Sequence, residues 1–332
     1  MMKKYSVIVP VYNRPNEVDE LLTSLAEQTF KQFDIVIIED GSSEDCKHII
    51  DTYTSKLDIK YFFKENTGPG DSRNFGMQKA TGEYLIFFDS DCIIPKTYFE
   101  SVESKLSETP LDCFGGPDSA DSSFTDTQKA INYAMTSIVT TGGIRGKKNK
   151  LDTYQPRSFN MGIKREIYTD IGGFSDIHPG EDPDFSYRIM KRGYTVGLIE
   201  DAFVYHKRRV SFQKFVKQVY KFGVVRPILI KWHPDKFKLT YLLPTLFLLA
   251  CLVLTSLTLA VSYYFFLPLL FITSIITLES LIKTKSLKVC VLSIAASYIQ
   301  LIGYGYGFLK SALKVLIFRK NERKAFPTFF FD

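Results

Sequence analysis

Tyr84-Leu-Ile-Phe-Phe-Asp-Ser-Asp91 is an apolar run that stops in two aspartates one residue apart. Its unbroken apolar character is that of a strand buried on both faces, as in a parallel sheet covered by helices. Carboxylates that close such a strand make poor packing. Their hard oxygens do suit Mg²⁺ or Mn²⁺ held against a diphosphate. Asp-x-Asp is a common pattern by itself, so its meaning comes from the residues around it.

Upstream, strand and helix patterns alternate. Ser6–Val11 reads as a strand, Asn16–Gln28 as a helix with Leu21, Leu22 and Leu25 on one face, and Phe33–Glu39 as a strand. Glu44–Ser55 follows as a helix, Ile59–Phe63 as a short strand, and Asp71–Ala80 as the helix before Tyr84–Phe88. This alternation predicts an α/β fold, a mostly parallel Rossmann-like sheet flanked by helices. Ligands of such sheets bind beyond the carboxyl ends of the strands. Polar residues fall there: Tyr12-Asn13-Arg14, Asp40-Gly41-Ser42 and Asp89-Ser90-Asp91.

Downstream, Asp118–Thr127 and Gly142–Lys150 have loop composition, and Ser158–Ile163 reads as a short strand followed by a helix. The acidic loop Gly180-Glu-Asp-Pro-Asp184 opens a further helix. Thr195–Ile199 and Ala202–Tyr205 are short strands, the second ending at His206.

The 332 residues leave room for one large domain, or a medium one with an appendage. Leu239–Leu278 and Val289–Leu309 carry no charge. A span needs roughly 20 apolar residues, so the first run suffices for two membrane helices and the second for one. Met1-Met-Lys-Lys4 before Tyr5–Val11 imitates a signal peptide, but the run is short, β-branched and broken by Pro10, which favours a first strand. The five cysteines form no Cys-x-x-Cys pair, so neither a disulfide framework nor a zinc site is expected, and a reducing cytosolic face is compatible.

Net charge is +6, and its placement is informative: ten Lys/Arg and a single acid, Asp235, lie between Lys207 and Lys238. Against a membrane span this block points to lipid headgroups and a cytoplasmic location rather than to nucleic acid. Lys283–Lys288 and six Lys/Arg from Lys310 to Lys324 ask for the same side. Three full spans would put the last block outside. Whether one run is re-entrant or interfacial stays open in the sequence.

Ser6-Val-Ile-Val-Pro-Val-Tyr-Asn13, Ile38-Glu-Asp-Gly-Ser-Ser43, Gly70-Asp-Ser-Arg-Asn-Phe-Gly76 and Gly82–Asp91 occur in this order. Gly172-Gly-Phe174, Gly180-Glu-Asp182 and Val204-Tyr-His206 follow them. From Tyr5 to Gly223 the chain resembles the family 2 glycosyltransferases, nucleotide-sugar-dependent enzymes of the GT-A fold. A haloacid dehalogenase phosphatase also opens with an apolar strand and Asp-x-Asp, but it continues Asp-Gly-Thr where Cys92-Ile-Ile-Pro95 stands here.

The resemblance implies that Pro10, Tyr12, Arg14 and Asp40 hold the base and ribose, with Tyr12 able to stack on the nucleobase. It implies a base or phosphate contact for Arg73, a ribose contact for Asp89, and metal ligation by Asp91 and by His206. Asp182 is implied as the general base and Glu181 as its support or an acceptor contact. The residues also have duller readings. Tyr12 can be a strand-end aromatic, Asp40 an N-cap for the next helix, Arg73 a solvated helix residue and Asp182 a helix cap.

Ser211–Gly223 places Phe212, Phe215, Val216, Val219 and Phe222 at helical spacing opposite lysines, the pattern of an interfacial helix. Gln218-Val-Tyr-Lys-Phe222 loosely echoes the Gln-x-x-Arg-Trp motif of processive synthases. Lys and Phe replace its Arg and Trp, and Lys lacks the guanidinium fork.

The expected organisation is a GT-A-like catalytic domain over 1–206 and a basic interfacial segment over 207–238, then two to three membrane helices over 239–309 and a basic tail over 310–332. The expected function is transfer of a single sugar, with inversion and a divalent metal, from a nucleotide diphosphate-sugar to a glycan or lipid-linked acceptor. The setting is the cytoplasmic face of the inner membrane, in surface polysaccharide assembly. A processive synthase, or a catalytically silent membrane scaffold of the same fold, are the alternatives.

Overall fold

A computed structural model describes residues 3–119, 124–141, 154–206 and 211–331, leaving out the side chains of Ser119, Thr141 and His206. The sequence loop Gly142–Lys150 and the cations Lys207–Arg209 lie outside these residues. The chain divides into two compact units. The first takes the described residues of Met1–Asp121, Thr153–Lys207 and Thr328–Asp332; the second takes those of Ser122–Asp152 and Arg208–Pro327.

The first unit opens with β1 Tyr5–Val11, α1 Pro15–Ala26, β2 Phe33–Asp40, α2 Lys47–Tyr53, β3 Ile59–Lys64, α3 Pro69–Lys79 and β4 Tyr84–Phe88. It continues through β5 Cys92–Ile93, α4 Tyr98–Glu108, β6 Cys113–Gly115 and β7 Asp118–Ser119. A seven-stranded sheet runs β3-β2-β1-β4-β8-β6-β9, where β8 is Asn160–Lys164 and β9 is Val196–Leu198. β1, β2, β3 and β4 pair in parallel, while β8 is antiparallel to both β4 and β6. The sheet is thus mostly parallel, as the alternation upstream of Tyr84 implies.

β1, β2 and β4 are buried almost throughout, and two cores cover their faces. Val7, Val9, Ile35, Ile37 and Ile86 pack under α1 with Leu21, Leu22 and Leu25. Ile8, Val36, Ile38, Leu85 and Phe87 pack on the other face with Met77, Phe174, Phe185 and Ile189. Alternation along each strand sends successive side chains to opposite faces, which is why both faces must be apolar. A small second sheet joins β5, β7 and β10 Val204–His206, with His206 opposite Cys92 in antiparallel register.

α5 Asp126–Thr136 and α6 Ile138–Thr141 belong to the second unit. Expectation had placed all of 1–206 in one domain. The physical reason for the difference is the apolar face of α5: Ala130, Ile131, Ala134 and Met135 pack with Phe215, Val219, Val289 and Ala296. Conversely, the described residues of Thr328–Asp332 return to the first unit.

The first unit's remaining helices are α7 Arg165–Ile171 and α8 Glu181–Lys191. The second unit continues with α9 Phe212–Trp232, α10 Leu243–Ala260, α11 Leu267–Thr284, α12 Leu287–Ser311 and the short α13 Glu322–Ala325. Among the described residues, three segments are long and apolar enough to cross a membrane: Leu239–Ala260, Tyr263–Thr284 and Leu287–Ile317.

Candidate functional site

The carboxyl ends of β1, β2 and β4 carry the polar loops of the first unit. After β1, Asn13 takes a left-handed conformation (φ 51°), which short polar side chains tolerate. Its Oδ1 accepts from the Ser43 and Glu44 backbone N–H groups at 2.8 and 3.2 Å, and the Ser42 hydroxyl accepts from the Asn13 N–H at 2.7 Å. The β1–α1 and β2–α2 loops are thereby clasped. Tyr12 stays half exposed beside this clasp, and Pro10 is partly buried at the end of β1.

Asp40, at the end of β2, is buried and does not cap α2, whose N-cap is Cys46. Its carboxylate accepts from the backbone N–H of Thr67 at 3.1 Å and of Gly68 at 3.0 Å, and Lys64 Nζ donates to it at 2.6 Å. Asp40 therefore shapes the turn into α3. Lys64, absent from the sequence-based site, is its countercharge.

Arg14 immediately precedes α1, and its Nη1 donates to Asp91 Oδ2 at 2.6 Å. The Asp-x-Asp loop is thus held to the β1 loop by charge. Asp89 turns the other way, accepting from Arg73 Nη2 at 2.7 Å. Side chains at i and i+2 diverge here because the chain leaves the strand after Phe88.

Arg73 is buried, with Asp89 on one side and Glu181 Oε1 3.5 Å from its Nη1 on the other. Its guanidinium lies over the Phe174 ring, 5.5 Å from the centroid. A solvated helix residue it is not. Burial opposes its charge, but Asp89, Asp182 and Glu181 outweigh burial and raise its pKa.

Glu181 and Asp182 form the first turn of α8, where the helix dipole favours carboxylates. Burial would raise the Glu181 pKa, but the charge and hydrogen bond of His178, with Arg73, hold it well below the ordinary carboxylate value. His178 Nδ1 lies 2.9 Å from Glu181 Oε1, and its own pKa is raised by Glu181 against the opposing effect of burial. Asp182 behaves oppositely: burial and the neighbouring Glu181 charge push its pKa up. Its secluded Oδ1 has no hydrogen-bond partner among the described residues. Two adjacent carboxyls are pushed apart, the arrangement that separates a structural ion from a group able to take a proton. Asp184 is engaged elsewhere, paired with Arg188 at 3.0 Å.

The structure therefore gathers Asp89, Arg73, Glu181 and Asp182 into one ion network, and Arg14 with Asp91 into a second pair. The side chain of His206 lies outside the described residues. No group of three or more His, Cys, Asp or Glu suited to a metal occurs among the described residues. Sequence reading missed His178, whose one signal is its place three residues before Glu181. It also missed Phe329–Phe331, which lie beside the same loop. The Phe329 carbonyl accepts from His178 N–H at 2.7 Å, and Phe331 N–H donates to the Asp176 carbonyl at 3.1 Å. Residues 150 apart cannot be paired from a single sequence.

The profile of glycosyl transferase family 2 matches residues 6–173, more than half of the chain and most of the site just described. The chain belongs to glycosyl transferase family 2. A second profile, glycosyl transferase family group 2, matches residues 159–281. A Rickettsia conorii protein named as an uncharacterized glycosyltransferase is 44% identical over 105 residues, or 32% of this chain and 17% of that one. A Campylobacter jejuni protein named GalNAc(5)-diNAcBac-PP-undecaprenol beta-1,3-glucosyltransferase is 33% identical over 117 residues, 34% of this chain and 38% of that one. The chain thus spans well under half the length of either relative. The fold is shared with a mannosyltransferase from Pyrobaculum calidifontis solved with GDP-Man and Mn²⁺. That likeness has a TM-score of 0.66 at 15% identity and covers 90% of this chain and 87% of that one.

Proposed function

We propose that this family 2 member is an enzyme that transfers one sugar, with inversion, from a nucleotide diphosphate-sugar to an acceptor near the bilayer. The observation that carries the reading is the pair at the start of α8. Glu181 is held ionised by His178 and Arg73, while Asp182 has a raised pKa and an oxygen unclaimed by any described residue. A general base is most effective with a pKa drawn toward working pH. In the reaction, Asp182 takes the proton of an acceptor hydroxyl. That oxygen bonds to the anomeric carbon as the bond to the diphosphate breaks on the opposite face, and the nucleoside diphosphate carries off the electron pair.

Tyr12, Pro10, Arg14 and Asp40 are assigned to the base and ribose, with Asp89 and Arg73 beside the ribose and phosphate. A divalent metal fits the donor set. Mg²⁺ and Mn²⁺ are commonly held by one or two carboxylates plus substrate phosphate oxygens, so the shortage of further ligands is no obstacle. Asp91 is its assigned protein ligand and His206 a second. When bound, the metal supplies Lewis-acid neutralisation of the leaving diphosphate. The lipid-linked acceptor is supported by the name of the Campylobacter relative and by three candidate spans. We assign the site to the cytoplasmic face of the inner membrane from the basic blocks.

Membranes containing the protein, offered a panel of nucleotide sugars with Mg²⁺ or Mn²⁺, are expected to release nucleoside diphosphate and form a product longer by one sugar. Absence of release from every donor, with Asp182→Asn indistinguishable from wild type, would leave a silent scaffold as the reading.

A further inference from the structure

Three helices of the second unit have the length and hydropathy of a membrane span, yet the chain cannot cross three times. It leaves the first unit before α9 and returns to it after α12, where Phe329 and Phe331 hydrogen-bond the backbone at His178 and Asp176. A folded sheet unit lies on one side of a bilayer, because lipid cannot satisfy exposed backbone polar groups. The crossings between departure and return are therefore even in number. The geometry points to α10 and α11 as a hairpin that crosses, and to α12 as a helix that does not cross but lies in the interfacial layer beside α9.

α9 itself is unsuited to crossing. Lys214, Lys217, Lys221, Arg226 and Lys231 are distributed along its 21 residues. A cation at the centre of a span costs about 2.5–3.5 kcal/mol even on the mildest scale. The second half of α12 is bound to this helix by glycine contacts. A side chain at Gly223 would fall 2.2 Å from the Tyr304 carbonyl oxygen, and one at Gly307 would fall 2.4 Å from that of Tyr220. Lys310 Nζ donates to the Tyr220 hydroxyl at 3.2 Å, and farther on Lys231 pairs with Glu322 at 2.6 Å. The two segments run the same way along each other, so α12 shares the depth of α9.

The other end of α12 is held near charge as well. Lys288 pairs with Asp126 at the start of α5, at 2.8 Å. Between these ends α12 packs against both helices of the hairpin. It meets α11 through Ser280 with Cys290 and Thr273 with Tyr298, and α10 through Thr245 with the Gly305 carbonyl and Phe247 with Tyr298. Thr245, Phe247 and Ser280 lie in the halves remote from the turn at Val261–Tyr264, and Thr273 lies just on the turn side of the middle of α11. Around that turn Leu259, Val261, Tyr263, Tyr264, Leu267 and Phe271 are exposed, as lipid-facing and interfacial aromatic residues would be. α12 is also the least apolar of the three candidates, with mean hydropathy 1.5 against 2.3 and 2.1. This topology puts every basic block on one side, which three crossings could not do.

Thiol labelling in sealed membrane vesicles of both orientations tests it, using a membrane-impermeant maleimide. Asp45→Cys marks the side of the first unit, Lys285→Cys the end of α11, Val261→Cys the turn, and Lys320→Cys with Lys324→Cys the chain beyond α12; unmodified protein is the blank. We expect labelling of Asp45→Cys, Lys285→Cys and both reporters beyond α12 from one face, and of Val261→Cys from the other. Labelling beyond α12 from the face opposite Asp45→Cys would mean that α12 crosses. Labelling of Val261→Cys from the same face as Asp45→Cys would mean that the hairpin does not. Either result overturns the proposal, and neither depends on transferase activity.

Discussion

Arg73 Nη2 donates to Asp89 Oδ1 at 2.7 Å, joining the end of β4 to α3, the helix that connects β3 to β4. The same guanidinium faces Glu181. One buried cation thus ties the acidic loop after β4 to the first turn of α8.

Arg73→Met leaves Glu181 buried with one partner fewer. Breaking a buried ion pair by removing one member typically costs about 3–5 kcal/mol, and denaturant unfolding in detergent is expected to show a loss of this order. Arg73→Lys should recover only part of it, because an ammonium cannot reach two carboxylates as a fork does. A midpoint unchanged in Arg73→Met would show that the network does not stabilise the fold.

Asp182→Asn removes the assigned proton acceptor while keeping shape. Loss of a general base typically lowers turnover by roughly 10²–10⁴-fold, with donor affinity unchanged. Asp184→Asn, whose side chain serves Arg188, is expected to retain turnover. Equal losses in the two variants would remove Asp182 from its role.

The His178–Glu181 pair carries a pH dependence of definite sign. The raised pKa of His178 contributes stability that is fully present below its unfolded value of about 6.5 and is lost as pH rises through the folded value. The depressed pKa of Glu181 contributes stability that is present above its unfolded value and is lost as pH falls through the folded one. The stability difference between wild type and His178→Gln should therefore be largest near pH ~5.5 and shrink toward alkaline pH. A difference that grows from pH ~6 to pH ~9 would contradict the pairing.

Asp91→Asn tests the assigned metal ligand. Calorimetric titration of wild type with a nucleoside diphosphate should tighten when Mn²⁺ is added, and the variant should lose most of that increment. A full Mn²⁺ response in Asp91→Asn would move the metal to other residues.

Gly68 has φ +90°, and a Cβ there would lie 2.5 Å from the Phe331 ring. Gly68→Ala is expected to destabilise the first unit by about 1–3 kcal/mol, the range for strained backbone. Adding Phe331→Ala should recover the steric part and leave the strain, as read from the two melting temperatures. Full recovery would show that conformation plays no part.

Much of the sheet was legible because its signals are local. Ser6–Val11, Phe33–Glu39 and Tyr84–Phe88 are apolar runs bounded by turn residues, and the strands match them to within a residue or so. The order of the polar loops followed from strand ends. Asp40 shows where local reasoning stopped. A cap for the next helix was its alternative reading, but its carboxylate serves the turn before α3 rather than α2, because that choice depends on how β2 and β3 pair. α5 shows the same limit. Sequence reading gives loop composition over Asp118–Thr127 and no helix directly after it, and nothing in the residues of α5 says that its apolar face packs on α9 and α12.

By itself, then, the sequence determined the α/β alternation, the acidic pair after Phe88 and the apolar runs, all set by hydrophobic period and residue chemistry over a few positions. Tertiary structure alone decided the rest. It turned Asp89 toward Arg73 and Asp91 toward Arg14, set His178 against Glu181 so that two adjacent carboxyls differ in proton affinity, and returned Phe329–Phe331 to the first unit. Each of these is a contact between residues distant in the chain, fixed by burial and charge pairing that only the folded packing creates.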